Sequence, residues 1–441
     1  MRLDSYPSYK QSGISWYEDI PQGWDVKPLF ALANECSSSN KGMIEDNLLS
    51  LSYGKVINKN INSNDGLLPE SFETYQVVES DDIVLRLTDL QNDKRSLRSA
   101  IVKERGIITS AYLAIRPTNI HPTFLNYLLR AYDLTKVFYS MGGGLRQSMK
   151  FSDVKRLPLI LPSLEEQKSI SMFLDSETAK IDSLVEAQEK LIELLKEKRQ
   201  VVISEAVTKG LNSKVKVKDS GVEWLDQIPE HWEVKKIKFV ADVIASNVDK
   251  KTYEGDIPCL LCNYTDVYYN DQILNDMEFM SATATPEQII KFTLKKGDVI
   301  ITKDSESPDD IAIAAYVPMD LIGVVCGYHL SIIRGFKING MFLKSLFDSH
   351  YLKSKFATLA NGLTRYGLGQ HSINNVYIPL PPKEEQQQIV DFIYKTCNGI
   401  DDLIDKSKTS MNLLKERRSA LISAAVTGQI DVRNYQPKEA A

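Results

Sequence analysis

Gly13-Ile14-Ser15-Trp16, followed by Ile20-Pro21-Gln22-Gly23-Trp24-Asp25-Val26-Lys27, returns later as Gly221-Val222-Glu223-Trp224 and Ile228-Pro229-Glu230-His231-Trp232-Glu233-Val234-Lys235. A second recurrence lies farther along. Leu161-Pro162, Glu165-Glu166-Gln167, Ile181-Asp182 and Leu195-Lys196-Glu197 return as Leu380-Pro381, Glu384-Glu385-Gln386, Ile400-Asp401 and Leu414-Lys415-Glu416. The stretch between the recurring blocks is longer in the second copy. A tandem duplication with matching ends and unlike middles implies one scaffold carrying two different readers.

At 441 residues and 43% hydrophobic, the chain is long enough to bury several cores. A charged content of 25% is ordinary for a globular protein. No apolar run approaches the roughly 18 residues of a membrane span. The opening Met1-Arg2-Leu3-Asp4-Ser5-Tyr6 is too polar for a signal or transit peptide, so a cytoplasmic protein is expected. Five cysteines at irregular spacings do not form a disulfide framework. Cys259-Leu260-Leu261-Cys262 has CxxC spacing but no second pair and no nearby histidine, so it reads as two half-buried strand cysteines. A net charge of −5 gives no global nucleic-acid signal, yet a DNA groove needs only local basic charge.

Asp82-Ile83-Val84-Leu85-Arg86-Leu87 and the run Ile107 to Ile115 predict strands. Phe124, Leu125, Leu128, Leu129, Tyr132 and Val137 share one helical face, predicting a helix from His121 to Tyr139 ahead of the loop Met141 to Ser148. The second half repeats this plan. The strands around Asp298 and from Gly323 to Arg334 precede a helix with Phe342, Leu343, Leu346, Phe347 and Leu352, then the loop Asn361 to His371. Glu165 to Val207 and Glu384 to Val426 are rich in Glu, Lys, Leu, Ile and Ala, and the first would span roughly 64 Å as a helix. Ile181, Leu184, Leu191, Leu195 and Val202 fit heptad a and d positions, interrupted by Gln188 and Lys198. Ile400, Leu403, Leu414 and Leu421 are the equivalents in the second helix. Two long helices flanking a compact domain pair only if the chain doubles back, which predicts an antiparallel coiled coil. The expected organisation is α+β, with mixed α/β domains over 1–163 and 211–382, long-helix regions over 164–210 and 383–430, a tail over 431–441, and a pseudo-twofold internal duplication.

Signatures of catalysis are missing from the sequence. It has no GxxxxGK[ST] loop and no Asn/Asp-Pro-Pro-Tyr/Phe tetrapeptide, and its five histidines are scattered. The acid pairs Asp81-Asp82 and Asp309-Asp310 read as turn caps. Basic clusters are more informative. Lys94, Arg95, Arg98, Lys103, Arg105 and Arg116 surround only Glu104, and Lys136, Arg146, Lys150, Lys155 and Arg156 only Asp153. In the second copy Arg334, Lys337, Lys344, Lys353, Lys355 and Arg365 surround Asp348. Amides, hydroxyls and tyrosines interleaved with them suit phosphate neutralisation and hydrogen bonding to base edges.

The Trp-x-x-x-Ile-Pro-x-x-Trp opening and the Leu-Pro entry to Glu-Glu-Gln resemble those of the specificity (S) subunit of type I DNA restriction–modification systems. So do the helix ends Leu-Leu-Lys-Glu-Lys-Arg and Leu-Leu-Lys-Glu-Arg-Arg, with Ala206-Val207-Thr208 and Ala425-Val426-Thr427. Thr109-Ser110-Ala111-Tyr112 and Gly327-Tyr328-His329 resemble, more loosely, segments of known target recognition domains. The resemblance implies a non-catalytic chain whose two target recognition domains each read one half of a bipartite, asymmetric double-stranded DNA site. The helices would set the spacer and dock two methyltransferase subunits, with restriction/motor subunits joining them for phage defence. S-adenosylmethionine, ATP and magnesium would belong to those partners, with no cofactor or metal in this chain. The preferred base readers are Arg146, Gln147 and Ser148 in the first domain and Arg365, Tyr366, Gln370 and His371 in the second. Arg86, Lys94, Arg95, Arg98, Gly143, Lys150, Lys303 and Asn361 complete the expected interface. A fused methyltransferase or nuclease would require the missing motifs, and a scaffold binding only proteins would leave the duplicated basic loops unexplained.

Overall fold

The branched runs of the first copy form an antiparallel sheet in the order Ala33–Glu35, Leu113–Pro117, Ile83–Leu85, Ser99–Ile101. The second copy builds the same sheet from Ala241–Ala245, Leu330–Gly335, Asp298–Thr302 and Ala314–Tyr316. The computed structural model describes residues 4–61, 69, 71–88, 97–141 and 149–435. They divide into two units, Met1–Glu189 with Thr409–Ala441, and Lys190–Lys408.

Successive strand side chains point to opposite faces, and here both faces are covered. Ile83, Leu85, Leu113 and Ile115 join the core under the helix Pro122–Leu134, while Val84 and Ala114 join a second cluster with Leu49, Leu51 and Val78. In the other unit Val299, Ile301 and Ile333 pack beneath Gly340–Asp348, and Ile300, Leu330 and Ile332 pack against Leu261, Val267 and Phe292. Full burial explains why the central strands read as continuous apolar runs rather than as an alternation.

Three sequence expectations change. The helix expected to reach Tyr139 stops at Leu134, because Lys136 takes a left-handed conformation (φ 63°) and a short 3-10 turn, Val137–Ser140, follows. Its counterpart is broken at Ser349, whose hydroxyl caps a new helix, His350–Leu359, by accepting from the Leu352 N–H. The long strand-like runs are each two strands around a tight turn. The Tyr112 N–H donates to the Thr109 carbonyl at 3.1 Å, and the Leu330 N–H to the Gly327 carbonyl at 3.0 Å.

The two long helices are Leu164–Lys209 and Lys383–Val426, of 46 and 44 residues. In the first unit Asp182 accepts from Arg418 Nε at 2.8 Å, and Glu189 lies 4.0 Å from Lys415. In the second, Arg199 Nε donates to Asp401 at 3.1 Å. Numbering rises along one helix as it falls along the other, so they pair antiparallel. Asp182–Arg418 and Asp401–Arg199 are the same ion pair written twice by the duplication.

The heptad series is only partly buried: Ile181, Leu195 and Ile400 are inside, while other members face outward. Leu184, Leu191 and Leu403 are 52%, 42% and 50% exposed. Beside other buried positions such as Phe173, Leu174, Leu195, Ile393 and Ile404, the isoleucines Ile170, Ile181, Ile192 and Ile203 on the first helix and Ile389, Ile400 and Ile422 on the second are buried. They recur every eleven residues, with Met411 half-buried in the remaining place. An eleven-residue repeat corresponds to about 3.67 residues per turn and does not impose the left-handed supercoil of a 3.5-residue repeat.

Ile192→Ala is therefore expected to cost about 2–4 kcal/mol in urea-induced unfolding, whereas Leu191→Ala should stay within about 0.5 kcal/mol. Equal losses would restore the heptad seam.

Candidate nucleic-acid interface

The duplicated motifs close each domain onto the helices. The buried indole of Trp24 donates to Glu166 at 3.2 Å, and that of Trp232 to Glu385 at 3.0 Å. The next residue is a buried glutamine in both copies. Gln167 accepts from the His121 N–H and donates to the Pro162 carbonyl, both at 2.8 Å. Gln386 does the same with the Asn339 N–H and the Pro381 carbonyl, both at 2.8 Å. His121 and Asn339 are the N-cap residues of the helices that cover the two sheets. The ends of the long helices meet the same tryptophans. Gly210 (φ 74°) sits against Trp232 and Gly428 (φ 75°) against Pro21 and Trp24, so close that a Cβ at Gly428 would strike the Pro21 ring.

Each sheet contains a second duplicated lock. Arg116 Nε and Nη2 donate to the two Asp82 oxygens at 2.7 Å each, and Arg334 binds Asp298 with the same atoms at the same distances. Both carboxylates are 1% exposed, and these bonds raise both guanidinium pKa values. This fork geometry is a strong form of charge pairing. Arg116 and Arg334, counted from sequence among the DNA-facing bases, instead hold the sheet. Lys344 is internal, 5% exposed and bonded to Asp271 and Asp348. Arg105 pairs with Glu45 and Glu79 at the surface.

In the first domain, Arg86 is exposed just past the strand Ile83–Leu85. Arg98 is a correction to the expected interface, being 3% exposed. Its Nη1 donates to the Arg86 and Thr88 carbonyls at 2.8 Å each, and its guanidinium lies over the Tyr139 ring. It therefore positions the segment carrying Arg86. Lys150 is exposed, and its N–H is capped by Asp153 at 2.8 Å. Lys94, Arg95, Gly143, Arg146, Gln147 and Ser148 lie outside the described residues.

In the second domain the expected loop is closed and docked. Asn361 and Gly367 exchange backbone hydrogen bonds at 3.1 and 2.9 Å, displaying Arg365 at the surface. Tyr366–Gly367 then pairs antiparallel with Asp304–Ser305, next to Lys303. Gln370 begins the helix Gln370–Asn374, and its amide nitrogen donates to the Val243 carbonyl at 2.6 Å. His371 is exposed on that helix beside Asn375, whose side-chain oxygen also accepts from Lys236 and Lys238 at 3.4 and 3.2 Å.

Sequence reasoning missed Lys236 and Lys238, which lie far from the loop along the chain. It also missed a cleft of about 180 Å³ lined by Asp249, Lys250, Asn263, Tyr264, Gly327, Tyr328 and His329. Nearby, Tyr268 stacks on Tyr264 and donates to Asp310 at 2.6 Å, which pushes its phenol up to about 12. Cys262 and Cys326 face each other on paired parallel strands and are fully buried. Burial raises both thiols, as befits inert core cysteines. Among the described residues no cluster of His, Cys, Asp or Glu could hold a metal, and no helix is long and apolar enough to cross a membrane.

A frame duplicated at its joints, carrying middles whose sequences differ, defines a two-domain protein built by tandem repetition. The family model described as the type I restriction modification DNA specificity domain matches residues 34–194 and 229–412, and the chain belongs to that family. It is 23% identical to the type I restriction enzyme MjaVIII specificity subunit of Methanocaldococcus jannaschii, over 94% of this chain and 95% of that protein. It is 26% identical to the putative MjaX specificity subunit of the same organism, over 73% of this chain and 71% of that protein. A solved chain from work on complex assembly and conformational transition of the type I R-M system shares the fold. Its TM-score is 0.70 at 18% identity, covering 93% of this chain and 99% of that one.

Gln386→Leu removes both bonds of the second joint and should lower stability by about 2–3 kcal/mol in urea unfolding. A change below about 0.5 kcal/mol would make the joint dispensable.

Proposed function

We propose that this chain is the sequence-reading, non-catalytic subunit of a type I restriction–modification complex. Its two domains, 1–163 and 211–382, each read one half of a bipartite, asymmetric double-stranded DNA site. The observation that carries this reading is the contrast between repeated joints and unrepeated rims: Trp24–Glu166 matches Trp232–Glu385, while the loops beyond them differ. Arg86, Lys94, Arg95, Gly143, Arg146, Gln147, Ser148 and Lys150 form the first contact set. Lys303, Asn361, Arg365, Tyr366, Gln370 and His371 form the second, joined by Lys236 and Lys238. Arginine suits guanine O6 and N7, and glutamine suits adenine, each good pair giving about 1–3 kcal/mol of discrimination.

The helix pair sets the spacer, placing the half-sites near one DNA turn apart, about 34–36 Å. Leucines that recur in the two helices yet stay exposed, Leu184 with Leu403 and Leu194 with Leu413, supply apolar docking surfaces for two methyltransferase subunits. S-adenosylmethionine serves those subunits in adenine methylation. ATP and magnesium serve the restriction/motor subunits, and the complex works in the cytoplasm on DNA.

Removing four residues between Glu186 and Glu193 shortens the first helix by about 6 Å. It should shorten the spacer of the methylated motif by one to two base pairs and keep both half-sites. An altered half-site would count against the helices as a ruler. Arg365→Ala should relax one position of the half-site read by the second domain, measured by methylation of a randomised duplex library. Uniform loss over all sequences would make Arg365 a phosphate contact.

A further inference from the structure

The second domain holds a paired imidazole at its rim. His329 follows Tyr328 in the turn between Val324–Cys326 and Leu330–Gly335, and its Nδ1 lies 2.7 Å from Asp304 Oδ2. A carboxylate only accepts, so Nδ1 carries a proton, and in the tautomer this fixes Nε2 is the ring's acceptor. Among the described residues, no protein group bonds to Nε2. The flanking groups suit a nucleotide. Tyr328 is 51% exposed with Lys303 Nζ 4.7 Å over its ring, and Lys303 is anchored on the Ser246 carbonyl at 3.0 Å. Asp304 also pairs with Gly367, tying His329 to the loop that displays Arg365.

We propose that His329 is a specificity-determining residue of the second domain, its Nε2 accepting from the exocyclic amino group of an adenine or cytosine at one position of that half-site. Asp304 is its positioning residue, fixing the tautomer and the ring plane. This rests on the DNA-reading function above. Counted along the strands from the shared Asp–Arg pair, Thr88 and Ala111 occupy the corresponding places in the first domain, which therefore lacks this reader.

The test uses the full chain assembled with its methyltransferase partner, acting on a duplex library randomised in both half-sites. The wild-type complex should favour adenine or cytosine over guanine and thymine at the position concerned, and the library shows which of the two it is. His329→Phe should reduce that preference about tenfold at this one position and leave the first domain's half-site unchanged. Asp304→Asn, which frees the tautomer, should relax the same position, and it decides the matter alone if His329→Phe does not assemble. Unchanged profiles, loss spread evenly over every position, or a preference for guanine or thymine there would overturn the assignment. A wild-type library with no split preference would overturn the parent reading instead.

Discussion

A buried indole must find an acceptor for its N–H, and in both copies that acceptor is a glutamate in the first turn of a long helix. Trp24 with Glu166, and Trp232 with Glu385, are the contacts on which the rest of the fold depends. Around each sit a buried glutamine that fixes the N-cap of the sheet-covering helix and a glycine that ends the other long helix. Three elements remote in sequence thus share one set of hydrogen bonds, and the end of the fourth packs against the indole. Each unit contains the beginning of one helix and the end of the other, so neither helix is completed within a single unit.

With the frame secured there and by the Asp82–Arg116 and Asp298–Arg334 forks, the loops at the rim are free to differ. They hold the charge that internal partners do not claim. Arg98, Arg334 and Lys344 are committed to internal partners and the half-exposed Arg116 to the buried Asp82, whereas Arg86, Lys150, Arg365 and His371 are exposed. A chain of net charge −5 can still present a positive rim, because its cations are sorted by partner rather than by number.

The duplication, the two α+β domains and the antiparallel helices were legible in the sequence, because recurring motifs and long glycine-poor segments are local patterns. The partnerships were not. Nothing local links Trp24 to Glu166, and Arg116 looks like a free base until Asp82 is placed beside it by strand pairing. The heptad pattern places Ile181, Leu195 and Ile400 inside but not its other leucines, for a different reason. Leu184 and Leu191 lie one heptad apart, whereas the buried isoleucines from Ile170 to Ile203 follow the longer interval. Tyr328-His329 stood out as a motif, but its chemistry depends on Asp304 across the sheet.

The central claim, that two domains on one scaffold read two unlike half-sites, is tested most directly by single-molecule methylome sequencing of the native host with and without this gene. Loss of one split, asymmetric N6-methyladenine motif on deletion, and its return on complementation, is the result this account predicts. A methylome unchanged by deletion would contradict it.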